Sequence, residues 1–217
     1  MLITPWFSFL HMAKTGGSFV QEVLVAQYGD RVTVGYHDPW DRLPQCDQPV
    51  LMFVRNPWHW YVSWFHYLRD FYAGQSPEIR ASDRIYQTGF GGGAHDFATA
   101  VRLACRGEIE VPIPAFQDQI GRYRDLYTAA IMYMVGKGLD DPRLTVGLTE
   151  QLREDLIAFV HRADVPDLNS LVKRIRETPI NNQSRHDDYR NYYDPALRDQ
   201  VGRASSWVID RFGYTFD

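Results

Sequence analysis

A short apolar run from Trp6 to Leu10 is followed by a glycine-containing turn, Lys14-Thr15-Gly16-Gly17. Phe19, Val20, Val23 and Leu24 then recur at helical spacing, Tyr28 continues that face, and Gly29 supplies a stop signal. The pattern predicts strand, glycine turn, helix. A second short strand is expected from Arg31 to Tyr36, running into a polar loop through His37, Asp38, Pro39 and Pro44. Val50 to Val54 is continuously apolar, as a parallel strand buried on both faces should be. Arg55-Asn56-Pro57 breaks that run, and Pro57 suits the first turn of a helix expected from about Trp58 to Phe71.

From Gly74 to His95 the character changes. Gly89, Gly91, Gly92 and Gly93 stand among polar residues, which predicts a mobile loop or lid inserted at about 74–95. Further helices are expected around Asp96 to Arg106 and Gln117 to Tyr133. Leu144 to Leu148 reads as another buried strand, with Thr149 placed to cap a helix running to about Arg162. Asp194-Pro195 opens the last helix, whose apolar face is Leu197, Val201, Ala204, Val208 and Phe212, and Gly213 ends it. Strands alternating with helices predict an α/β layered fold with a mostly parallel sheet.

The length of 217 residues fits a single domain with one insertion. A net charge of −4 argues against broad nucleic-acid binding, although it leaves room for one local basic pocket. Two cysteines, Cys46 and Cys105, are too few for a disulfide scaffold, so a reduced, cytoplasmic setting is expected. The apolar stretch from Met1 to Met12 lacks a basic leading region and reads as a buried strand, not a signal peptide. No run of about 20 apolar residues is present, so no membrane span is expected.

The chemistry begins at the glycine turn. A strand, a tight turn and a helix N-terminus leave main-chain N–H groups pointing outward, and the helix dipole adds roughly half a positive charge there. Lys14 contributes a full charge, Thr15 and Ser18 offer hydroxyls, and Gly16 and Gly17 permit close backbone approach. This is not the G-x-x-x-x-G-K-[ST] loop of nucleotide triphosphatases, because here the lysine precedes the glycines. A second feature is Arg55, at the C-terminal end of a buried strand where open α/β sheets bind ligands, with Ser63 eight residues on in the following helix. A guanidinium fork and a hydroxyl so spaced can grip a second phosphate.

Together these stretches match a family. H-M-A-K-T-G-G-S-F at 11–19 resembles the 5′-phosphosulfate loop of sulfotransferases that use PAPS (3′-phosphoadenosine-5′-phosphosulfate). F-V-R-N-P-W-H-W-Y-V-S-W at 53–64 resembles their 3′-phosphate motif, with Asn56 where the family often has Asp. The K-T-G-G form, the His three positions before Lys14, G-L-T-E at 147–150 and the terminal Y-Y-D-P-A-L-R…F-G-Y are similar to the carbohydrate O-sulfotransferase branch, the heparan-type enzymes. Between Phe71 and Leu144 almost nothing matches.

The resemblance implies a three-layer, P-loop-like fold in which helices flank a mostly parallel central sheet. It implies that Lys14 stabilises the departing phosphate, that Thr15, Gly16, Gly17 and Ser18 hold the 5′-phosphate, and that Phe19 stacks on adenine. It assigns Arg55 and Ser63 to the 3′-phosphate, and Ser184 or Arg185, from the polar cluster before the last helix, to a loop closing over PAPS. The implied product is adenosine 3′,5′-bisphosphate; no metal is implied. For the base that accepts the acceptor hydroxyl's proton, His37 is the first candidate, in the loop after the second strand. Glu150, at a strand end, is the alternative. His11 reads as packing at its strand end, and His59 and His66 as structural residues of the helix after Arg55. The expected acceptor is a carbohydrate or other small molecule, and the 74–95 segment is expected on the acceptor side. The competing classes are a P-loop kinase, which would need Gly-Lys-Ser/Thr, and a non-catalytic adenosine-bisphosphate binder.

Overall fold

A computed structural model describes residues 1–44, 47–180 and 186–217. In chain order the elements are β1 (Leu2–Ile3), β2 (Ser8–Leu10), α1 (Gly17–Tyr28), β3 (Thr33–Val34), β4 (Val50–Val54), α2 (Pro57–Ala73), α3 (Pro77–Ser82), α4 (Arg84–Phe90), α5 (Phe97–Ala104), α6 (Pro114–Tyr123), α7 (Leu126–Val135), β5 (Leu144–Leu148), α8 (Leu152–Arg162), α9 (Leu168–Glu177), α10 (Pro195–Ala204) and α11 (Ser206–Phe212). The chain divides into two compact units, Met1–Arg55 with Met134–Gln183, and Asn56–Tyr133 with Ser184–Asp217.

The first unit holds a five-stranded sheet of order β3-β1-β2-β4-β5. β2 pairs β4 in parallel, with Phe9 beside Leu51, and β4 pairs β5 in parallel, with Met52 beside Val146. β1 is antiparallel to both neighbours. Four of the five strands therefore run one way, as expected of a mostly parallel sheet. The reversal at β1 comes from a turn absent from the sequence reading. The Thr4 hydroxyl donates to the Phe7 carbonyl at 2.7 Å and accepts from the Trp6 and Phe7 N–H groups, folding the first residues into a hairpin. β4 is buried along its whole length, the physical reason for its unbroken apolar run. Phe9, Leu51 and Phe53 meet α1, α8 and α9 through Phe19, Val23, Leu156, Phe159 and Leu171.

The second unit is helical. Asn56 caps α2, its Oδ1 accepting from Trp58 N–H at 3.1 Å and His59 N–H at 3.4 Å, while its amide donates to the Thr215 carbonyl at 2.7 Å. An aspartate could accept the first two bonds but could not donate the third, which accounts for the asparagine. The aromatic stripe on α2 is core, as stripes of that spacing usually are: Trp60 stacks on Trp64 and, at 4.5 Å, on Tyr127. The centre of polarity is Asp125, fully buried. It accepts from the hydroxyls of Tyr61 at 2.5 Å, Thr128 at 2.5 Å and Ser205 at 3.1 Å, and from Thr128 N–H at 2.9 Å. Burial above all pushes its carboxyl up from the usual range.

Several boundaries differ from the pattern-based expectation. The 74–95 segment, expected as a loop, contains α3 and α4, nucleated by side-chain caps from Ser76 and Asp83; its positive-φ glycines, Gly91 to Gly93, come only after them. The helix expected over Gln117 to Tyr133 is two, parted at Arg124, whose φ of 55° is left-handed. The terminal helix is likewise broken at Ser205, whose hydroxyl is drawn to Asp125. Thr149 does not cap α8: its hydroxyl donates to the Val54 carbonyl at 2.9 Å, tying the end of β5 to the end of β4. No helix among the described residues is long and apolar enough to cross a membrane.

Candidate functional site

Because β2, β4 and β5 are parallel, the segments that leave their C-terminal ends emerge at one edge of the first unit's sheet. From β2 comes the loop His11 to Gly16. Lys14 has φ 65° and Gly16 φ 83°, so two left-handed residues coil this turn before α1 begins. Such alternation aims successive main-chain N–H groups into one concavity. The N-terminus of α1 carries no side-chain cap and no acidic residue in its first turn, unlike α2, which Asn56 caps. Its dipole is left facing the concavity. A Cβ on Gly17 would stand 1.9 Å from His11 Cδ2, and one on Gly16 would stand 2.8 Å from Leu152 Cδ2, so neither position accepts a larger residue. Thr15 is fully buried and its hydroxyl donates to the Met12 carbonyl at 3.0 Å. That hydrogen bond ties the start of α1 back to the loop. Ser18 is exposed on the first turn of α1.

Arg55 follows β4 directly, and its Nη1 donates to the Lys14 carbonyl at 3.2 Å. Two cations, both half-buried, are thus held together by the fold. The Lys14 ammonium is pushed down to about 8, first by burial and then by the Arg55 charge. The arrangement suits a ligand with more than one negative charge.

His37 also stands here. Its Nδ1 lies 2.5 Å from the His11 carbonyl oxygen. A carbonyl can only accept, so Nδ1 carries the hydrogen and a neutral His37 presents the Nε2 lone pair. The two imidazoles are edge-to-face at 4.8 Å, and His11 is held down at about 4, chiefly by burial and next by His37. At neutral pH His11 is therefore uncharged and a weak base. The sequence reading dismissed His11 as packing, and its real contribution, a main-chain oxygen, has no side-chain signature. Glu150 is exposed at the end of β5, one residue beyond the Thr149 tie to β4.

No family model matches the chain, and no curated protein matches it by sequence. Solved structures do. One is mouse sulfotransferase SULT7A1 complexed with PAP, sharing 15% sequence identity with this chain and covering 95% of it and 84% of its own length, at a TM-score of 0.54. The fold is a sulfotransferase fold. At that identity the likeness carries the architecture, a central five-stranded sheet flanked by helices, and not the residues of a site.

Within this sulfotransferase fold the remaining expected residues fall differently. Ser63 lies in α2 of the second unit and is buried. Phe19 is 1% exposed and belongs to the core of the first unit, with the Arg153 guanidinium 4.9 Å over its ring. The ring is thus packed within the first unit, with a guanidinium over one face. Arg153 was missed because only the fold brings it there; it also donates to the carbonyls of Ile175, Arg176 and Thr178 at the end of α9. Ser184 and Arg185 lie outside the described residues. No group of three metal-ligating side chains is assembled among the described residues.

Proposed function

We propose that the chain is a PAPS-dependent sulfotransferase, transferring the sulfuryl group of PAPS to the hydroxyl of a carbohydrate or glycolipid and releasing adenosine 3′,5′-bisphosphate. The observation that carries the reading is the Lys14–Arg55 pair beside the uncapped N-terminus of α1. Three positive features converge where a nucleotide with phosphates at both ends of its ribose would be held. The family resemblance of the two motifs and the sulfotransferase fold support the same reading. The carbohydrate branch rests on K-T-G-G and on the terminal motifs alone.

In this reading the main-chain N–H groups from Lys14 to Ser18 hold the 5′-phosphate, with Gly16 and Gly17 allowing close approach. Lys14 hydrogen-bonds the bridging oxygen. Arg55 takes the 3′-phosphate, the role that the resemblance also gives Ser63. His37 Nε2 accepts the acceptor's hydroxyl proton as the acceptor oxygen bonds to sulfur. The bond between sulfur and the bridging oxygen breaks, its electrons stay on that oxygen, and Lys14 stabilises the charge that builds there. Glu150 is the alternative base. Neither role requires a metal. The two-cysteine composition and the lack of a long apolar run favour the cytoplasm.

Calorimetric titration with adenosine 3′,5′-bisphosphate, 5′-AMP and ATP–Mg tests the reading. The bisphosphate should bind tightest, and Arg55→Ala should weaken it by about 10- to 100-fold, the loss of one or two charge-assisted hydrogen bonds. A preference for ATP–Mg would overturn the reading in favour of a kinase. A screen with ³⁵S-labelled PAPS over sugars, glycolipids and phenols should show label on a sugar hydroxyl. Bisphosphate binding without transfer to any of them would make the chain a binder.

A further inference from the structure

Tyr36 is 85% exposed, and Val34 before it is 46% exposed. Residues 33–37 are all exposed, so an open strip runs along β3 and ends on His37. A single apolar side chain in water is ordinary on a protein surface. Tyr36 differs in what surrounds it. Its ring stands edge-to-face with that of His37, the candidate base, at 6.2 Å between centroids. Its backbone is also pinned from several sides.

The Gly35 N–H donates to the Met1 carbonyl at 2.9 Å, and the Tyr36 carbonyl accepts from the Met1 amino group. The Tyr36 N–H donates to Asp38 Oδ2 at 2.9 Å, which curls the chain into a turn. A Cβ on Gly35 would stand 2.6 Å from that same oxygen, so a larger residue there would push Asp38 off the Tyr36 N–H. On the far side, His37 Nδ1 donates to the His11 carbonyl at 2.5 Å. With the backbone fixed and few side-chain torsions left, Tyr36 loses little freedom when a ligand settles on its ring. The fold therefore holds a large aromatic face out to water, next to the atom that would receive the acceptor's proton.

We infer that Tyr36 is the acceptor platform: the C–H face of a sugar ring rests on its aromatic ring and presents a hydroxyl to His37 Nε2. The inference rests on the proposed function for the reaction and for His37 as its base. The choice of a sugar comes from the setting. A phenolic acceptor is apolar over both faces and is held best in a pocket that encloses most of its surface. Tyr36 offers one face in an open strip. A sugar ring is apolar on its C–H face only, and the hydroxyls around its edge are costly to bury without partners, so a single aromatic face with water beyond it suits it. The ring face makes the contact, and Asp38 and Gly35 are positioning residues that hold it.

The test titrates the full chain with a heparan-derived tetrasaccharide and with 4-nitrophenol, with and without saturating adenosine 3′,5′-bisphosphate, and follows ³⁵S transfer to each. Tyr36→Ala should fold as the wild type does, since the side chain is exposed, and a thermal melt checks this. It should weaken tetrasaccharide binding and raise its KM by about 3- to 10-fold, the loss of one aromatic contact. The kcat at saturating sugar and the affinity for the bisphosphate should not change. Tyr36→Phe should match the wild type, and 4-nitrophenol should not distinguish the three proteins. Tetrasaccharide binding that is equal in Tyr36→Ala and the wild type, or absent from both, overturns the platform. An equal loss in Tyr36→Phe assigns the contact to the phenol hydroxyl and overturns stacking, while an equal loss for 4-nitrophenol overturns the choice of a sugar. The parent reading fails separately, when the wild type shows no preference for the bisphosphate over 5′-AMP and ATP–Mg, whatever the sugar titration gives.

Discussion

The sheet edge of the first unit and the buried centre of the second are both polar, and they are built in opposite ways. At the edge, main-chain N–H groups coiled by two positive-φ residues stand with the charges of Lys14 and Arg55. At the centre of the second unit the polar atoms answer one another, Asp125 accepting from the hydroxyls of Tyr61, Thr128 and Ser205 and from the Thr128 N–H. A main-chain turn depends on local sequence and tolerates little change. A closed side-chain network depends on tertiary assembly and contributes stability. The contrast says where substitutions should abolish function and where they should cost stability.

The sharpest break falls on Lys14. Lys14→Ala should lower sulfuryl transfer by about 10²- to 10³-fold, the usual result of removing one preorganised charge-stabilising group. Folding should be nearly unaffected, because the ammonium is half-buried beside Arg55 and its removal relieves that repulsion. A ³⁵S transfer assay run beside a thermal melt checks both halves. Full activity in Lys14→Ala would remove it from the reaction. A large loss of melting temperature would instead make it a structural residue.

The counterpart in the second unit is Asp125. Asp125→Ala leaves the Tyr61, Thr128 and Ser205 hydroxyls and the Thr128 N–H facing a buried void. That should cost about 3 kcal/mol of stability, read as a lower urea midpoint. The protein that remains folded should bind 5′-AMP as before. A midpoint unchanged within about 0.5 kcal/mol would show that water replaces the carboxylate, and the network would lose its structural role.

The same contrast explains what could be read from the chain in advance. β4, its exit at Arg55, the glycine turn and α1 are local patterns, and each appears within a residue or two of where periodicity placed it. The hairpin at Thr4 and the caps at Ser76 and Asp83 were also written locally, in short polar residues that stand beside stronger apolar signals. By contrast, nothing near Phe19 announces that Arg153 will cover its ring, and nothing near His66 announces His186. Such contacts are made at sequence separations above a hundred residues, where a single sequence holds no periodic signal. The His11 carbonyl that orients His37 is invisible for another reason: every residue has one.

The subtlest expected effect is read in pH. In the free protein Lys14 titrates at about 8 because burial and then Arg55 disfavour its charged form. A bound phosphate favours the charged form and raises that value, so binding and protonation are linked. Affinity for adenosine 3′,5′-bisphosphate should be full below pH about 8. Above it, affinity should fall by at most about tenfold per pH unit until the bound-state value is passed. Over the same range the calorimetric heat should depend on the buffer, since binding takes up a proton. Lys14→Arg keeps its charge throughout and should flatten the profile. A wild-type profile that is already flat from pH 7 to 9.5, or one that Lys14→Arg leaves sloping, would mean that the titrating group lies elsewhere. The 5′ end of the nucleotide would then be held by the main chain alone.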